Sequence, residues 1–78
     1  MTEENDDTIF RTLCFYKKQG QKIHIKIILG NDIGRFRNGF VINVTKTKLI
    51  FADDILGSLD YSLKEISKNI MPYKEANI

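Results

Sequence analysis

His24, Cys14 and the adjacent pair Asp53-Asp54 are the side chains of this 78-residue chain whose types could support catalysis or metal binding. An imidazole moves protons near neutral pH, a thiolate attacks electrophiles or holds a metal, and paired carboxylates attract a divalent cation. None of the three has the company such work requires. His24 lies on the polar face of an alternating apolar segment with no nucleophile paired to it, and it reads as a surface or interface imidazole. Cys14 is the one cysteine, which excludes an intrachain disulfide, and with the one histidine it falls short of the four ligands of a structural zinc site. It reads as a small buried hydrophobe. Two acids in a turn lack the spaced oxygens of a calcium loop and read as a solvated turn. Gly30, Gly34 and Gly39 are not followed by the Gly-Lys-Ser/Thr of a phosphate cradle. The expectation is a protein that binds rather than catalyses, with no cofactor and no metal.

A second kind of chemistry is offered by Arg35-Phe36-Arg37-Asn38, because aromatic rings stack on bases while arginines hold phosphates. Alternation puts Phe36 on the face opposite both arginines, so a core phenylalanine flanked by surface arginines is the favoured reading. Charge points the same way as that cluster without adding specificity. Four acids stand among the first seven residues, so twelve basic and six acidic side chains follow, a net charge of +6 on the body. Such a body attracts polyanions through counterion release, but charge alone reads no sequence.

The elements that must position these groups are short. Residues 1–7 are acidic with almost no apolar content and are expected as a disordered lead-in. Within 8–19, Ile9, Leu13 and Tyr16 fall at i, i+4 and i+7, Lys17 and Lys18 follow, and Gly20 is placed for a left-handed stop. A short helix is favoured; the Thr, Phe and Tyr content leaves a strand open. Lys22 to Leu29 alternates with Ile23, Ile25, Ile27 and Leu29 on one face. After the Gly30-Asn31-Asp32 turn, Arg35 to Thr45 alternates again, with Phe36, Phe40, Ile42 and Val44 sharing a face. Gly39 in mid-strand marks a strong bend or a close backbone approach. Lys48 to Ala52, Ser58 to Leu63 and Asn69 to Tyr73 complete five strands, the last two separated by a helical turn that Ser62 and Glu65 cap. Pro72 belongs at a strand end or edge, and residues 74–78 read as a frayed tail. The expected core is Ile23, Ile25, Ile27, Phe36, Phe40, Ile42, Phe51, Leu59, Leu63 and Ile70. The acidic start and short apolar runs suggest neither a signal peptide nor a membrane span, leaving the cytoplasm as the default compartment.

The fold class expected is mostly β: a short N-terminal helix, then a strongly bent, partly open five-stranded small barrel forming a single domain over residues 8–73. This order, with Phe36-Arg37-Asn38-Gly39-Phe40-Val41-Ile42 as a bent second strand and Lys64-Glu65 splitting the last two, resembles the Sm-like fold and shares much with SH3-like barrels. The resemblance implies a homo-oligomeric ring of about five to seven protomers, in which strand four of one pairs with strand five of the next. Leu59, Tyr61, Leu63, Asn69, Ile70, Met71 and Tyr73 would then lie at the subunit interface. Single-stranded RNA is the partner the family implies, and Lys46, Lys48, Lys64, Lys68, Arg35 and Arg37 are the candidate contacts. The family's uridine pocket does not carry over. Thr45 stands where many members carry Asp, Leu49 where others carry a base-contacting Asn, and Lys64-Glu65 replaces an Arg-Gly pair.

Overall fold

The computed structural model describes residues 2–28 and 34–75. Along the chain run α1 (Thr2–Gln19), β1 (Ile23–Ile28), β2 (Gly34–Val44), β3 (Lys48–Asp53), β4 (Gly57–Ser62), a 3-10 turn at Leu63–Glu65, β5 (Met71–Pro72) and a second 3-10 turn at Tyr73–Glu75. The fold is mostly β: one N-terminal helix and an open, antiparallel five-stranded sheet in the order β4-β3-β2-β1-β5. The expected turn at Gly30-Asn31-Asp32 and the last three residues of the expected tail lie outside the described residues.

Helix α1 is longer than expected, because Thr2–Asp7 are helical and not a disordered lead-in. Acids at a helix start face the positive end of its dipole, so the charge that suggested a solvated tail instead favours the first turns. Asp7 also pairs with Arg11 one turn on, at 3.1 Å. Ile9 and Leu13 are buried in the core, and Phe10 and Tyr16 pack against it. The helix ends as the sequence indicated. Gly20 takes φ +62°, its N–H donates to the Lys17 carbonyl at 3.1 Å, and the Gln21 N–H donates to the Tyr16 carbonyl at 3.2 Å. Those two bonds satisfy carbonyls that a helix end otherwise leaves open.

Ile23, Ile25 and Ile27 are buried, as alternation requires. On β2 the expected face is inverted. Phe36, Phe40 and Ile42 are 57%, 42% and 48% exposed, while Val41 is buried. The pairing explains it: Ile23 lies opposite Gly39 and Ile25 opposite Arg37, so the odd-numbered residues of β2 share the isoleucine face. A β-bulge between Val41 and Asn43 then shifts the phase, and Val44 returns to the core side. Strict period-two reading through Phe36 and Val44 assumed an unbroken strand, which the bulge breaks. Leu49 and Phe51 of β3 are fully buried, as are Leu63 and Ile66 nearly so. Leu59 and Ile70, expected in the core, are half-buried.

Curling of the sheet gathers these groups under α1. Arg37 of β2 donates through Nε to the Tyr61 hydroxyl of β4 at 3.1 Å, which spans two strands across the concave side. Gly39 permits a close approach of β2 to β3, since a Cβ there would stand 1.8 Å from the Ala52 carbonyl oxygen. Backbone cannot retreat as a flexible side chain can. Gly39→Ala is therefore expected to cost about 1–3 kcal/mol, measured as a lower urea midpoint at unchanged m; an unshifted midpoint would contradict the close approach.

The capping box at the 3-10 turn forms as its sequence spacing indicated. Ser62 Oγ accepts from the Lys64 N–H at 3.3 Å, and Glu65 Oε1 accepts from the Ser62 N–H at 2.9 Å. Strand β5 contains only two residues, fewer than the five expected, and Pro72 ends it. Proline there has no N–H to extend a ladder.

Candidate nucleic-acid interface

The six basic residues expected to contact RNA fall in three places. Lys46 and Lys48 lie at the β2–β3 connection, which the Thr45 N–H closes by donating to the Lys48 carbonyl at 2.8 Å. The Leu63 N–H donates to the Thr47 carbonyl at 3.0 Å, which draws exposed Lys64 to the same end of the sheet. Lys46, Lys48 and Lys64 thus form one exposed cationic end, and none enters either of the two ion pairs among the described residues. Lys68 is elsewhere. The Ser67 N–H donates to the Lys26 carbonyl at 2.9 Å, so Lys68 lies beside β1. Arg35 is exposed and pairs across from Ile27. Arg37 is half-buried and committed, through Nε to Tyr61 and through Nη1 to the Phe36 carbonyl at 3.0 Å. Those bonds hold its guanidinium to the protein rather than to a phosphate.

Sequence reading missed the group around His24. The imidazole is not on the surface but 5% exposed. Its Nδ1–H donates to Asn38 Oδ1 at 2.5 Å, across the β1–β2 pair. The Phe36 ring stacks on it at 4.8 Å between centroids and 18° between planes. Lys26, directly opposite Phe36 in the ladder, places Nζ 5.9 Å from that ring's centroid. A hollow of about 470 Å3 opens beside this stack, lined in part by Lys26, Phe36, Lys68 and Asn69. The signal was available: a histidine between isoleucines on β1 and an aromatic on β2 needed only the correct register to meet.

The acid pair performs structural work. Asp53 Oδ2 accepts from the N–H groups of Ile55 and Leu56 at 2.9 and 2.8 Å. Partial desolvation would raise its pKa, but these backbone bonds, with help from Arg37, hold the carboxyl below its ordinary value. A depressed folded value adds stability above the unfolded pKa and loses it as pH falls through the folded one, so acid loosens this turn. Asp54 pairs with Lys22, whose pKa that hydrogen bond raises, and Lys22 Nζ lies 4.1 Å from the Tyr73 ring centroid. Cys14 is half-buried rather than enclosed. Among the described residues no group of three His, Cys, Asp or Glu is placed to hold a metal ion, and no helix is long and apolar enough to cross a membrane.

The expected interface residues divide as well. Leu63 is only 1% exposed within its own chain's core, so it is not an edge residue. Leu59 and Tyr61 stand opposite the buried Phe51 and Leu49, so period-two alternation already puts Leu63 on the core side. Tyr61 is half-buried and occupied by Arg37, and Leu59 and Ile70 are also half-buried. Asn69, Met71 and Tyr73 lie along the β5 side with at least part of their surface open. The Leu63–Thr47 bond also sets the phase of the β3–β4 ladder, in which bonded pairs alternate. Tyr61 and Leu59 point their amides to β3, which leaves the backbone groups of Ser58 and Asp60 facing the free edge. On β5, Tyr73 bonds inward to the Lys22 carbonyl at 3.0 Å, and Pro72 presents only a carbonyl outward.

Set against family models, curated proteins and solved structures, the chain matches none of them. Function is read from its own geometry.

Proposed function

We propose that this chain is a non-enzymatic subunit of an Sm-like ring that binds single-stranded RNA or serves as a scaffold in RNA metabolism. The observation that carries the reading is the strand order, with β4 and β5 at the two edges of an open, curled sheet under an N-terminal helix. Unpaired edges recruit another chain unless they are blunted. Here one edge offers amides at Ser58 and Asp60 and the other a carbonyl at Pro72, a heterologous match that closes rings. A 78-residue chain with one cysteine has few other ways to supplement a small core. The RNA part of the reading rests on the cationic end formed by Lys46, Lys48 and Lys64, together with Lys68 near Lys26. Leu49, at the family's base-contacting position, is buried, so its usual pocket plays no part.

A second reading, an oligomeric protein-interaction module without RNA binding, is favoured by one feature. Ile55 is 90% exposed and Leu56 55%, an apolar pair at the β3–β4 tip. Titrating single-stranded RNA at several salt concentrations separates the two. Four lysine–phosphate contacts per protomer give a log–log salt slope of roughly −3. Lys46→Ala with Lys64→Ala should reduce its magnitude by about 1 to 1.5. Absence of binding at low salt would leave the interaction module.

A further inference from the structure

We propose that Phe36, held against His24, is a stacking platform for one unpaired base of single-stranded RNA, with Lys26 and Lys68 taking adjacent phosphates. The inference rests on the RNA-binding reading and gives it a site that neither the family's pocket nor the lysine-rich end supplies.

An exposed aromatic on a sheet usually leans on its neighbours. Phe36 leans on the buried imidazole, which lies nearly parallel to its ring, and Lys26 Nζ stands 5.9 Å from the ring's centroid. The residue is 57% exposed, so much of the side chain stays open to solvent, with a flexible lysine beside it. His24 is itself fixed by Asn38, so the platform is held in place before any ligand arrives. Preorganisation of this kind reduces the ordering cost of binding. Beside the ring, the hollow of about 470 Å3 is lined by two cations, Lys26 and Lys68, by the exposed amide side chain of Asn69, and by the apolar Ile70 and Met71. A π-face with ammonium groups beside it matches an unpaired nucleotide: the base stacks, and the negative backbone meets the lysines. An apolar peptide would fit the ring, Ile70 and Met71 but leave both cations unanswered.

The chain has no tryptophan, so Phe36→Trp makes the platform report on itself. In the full chain, titration with a single-stranded oligoribonucleotide is expected to quench the introduced indole, with the midpoint found for wild-type binding. Phe15→Trp, exposed on α1, should show little change and serves as the control. Phe36→Ala is expected to weaken binding by about 5- to 150-fold, while leaving particle mass at wild type and the chain folded under the binding conditions. Lys26→Ala and Lys68→Ala should each lower the salt slope by about 0.7. Wild-type affinity in Phe36→Ala, with loss only on replacing Lys46 and Lys64, would overturn the platform and leave RNA binding standing. No binding by the wild type would overturn both.

Discussion

Phe51→Ala is expected to cost about 3–5 kcal/mol, whereas Phe36→Ala should cost about 1 kcal/mol or less. The two phenylalanines look interchangeable in an alternating sequence. In the fold Phe51 is fully buried, between Val41 of β2 and Leu59 of β4 in the ladders, and Phe36 is more than half exposed. Truncating Phe51 removes a buried ring and leaves a void that the curled sheet cannot collapse around. Truncating Phe36 removes a stacking contact with His24 and a cation–ring contact with Lys26, both at a largely exposed position. A domain of this size has about 4–12 kcal/mol of stability in all, so the first change takes a large share and the second a small one. Urea unfolding of both variants at one protein concentration measures the difference. Equal losses, or a larger loss for Phe36→Ala, would mean that β2 presents its other face to the core.

That contrast also shows which parts of the fold local sequence carries. Helix termination at Gly20, the isoleucine face of β1 and the Ser62–Glu65 box each depend on residues a few positions apart, and each is legible. The face of β2 is not, because it depends on which residue of β1 stands opposite Gly39 and on a bulge that changes phase within one strand. Leu49 and Ile66 were missed for a related reason: flanked by Lys48 and Ile50, or by Glu65 and Ser67, they give no alternation long enough to assign a face. The candidate site follows the same division. Lysines in turns were legible as exposed charge, but their division into two places came from backbone bonds between Leu63 and Thr47 and between Ser67 and Lys26. The His24–Phe36 stack needed the cross-strand register, so the sequence offered its two members with opposite burial.

Asp60→Pro is expected to dissociate the proposed ring while leaving the β3–β4 ladder of each subunit intact. Bonded pairs in that ladder include Leu63 with Thr47, which places the Asp60 amide on the free side. Proline there deletes a donor that only a neighbouring chain would use, and an edge strand tolerates it. Tyr61→Pro provides the comparison. Tyr61 lies opposite Leu49 and directs its amide inward, so proline at 61 damages the subunit itself. Sedimentation should therefore show Asp60→Pro as a smaller particle whose stability falls on dilution, because assembly and folding are linked. Tyr61→Pro should lose folded structure at every concentration. An Asp60→Pro particle of wild-type mass would place the subunit contact away from β4.

The mass of the native particle tests the proposed assembly most directly. At micromolar concentration, light scattering of the full chain should give about 45–63 kDa, five to seven times the 9.0 kDa chain. A mass that stays near 9 kDa across that concentration range would contradict the ring.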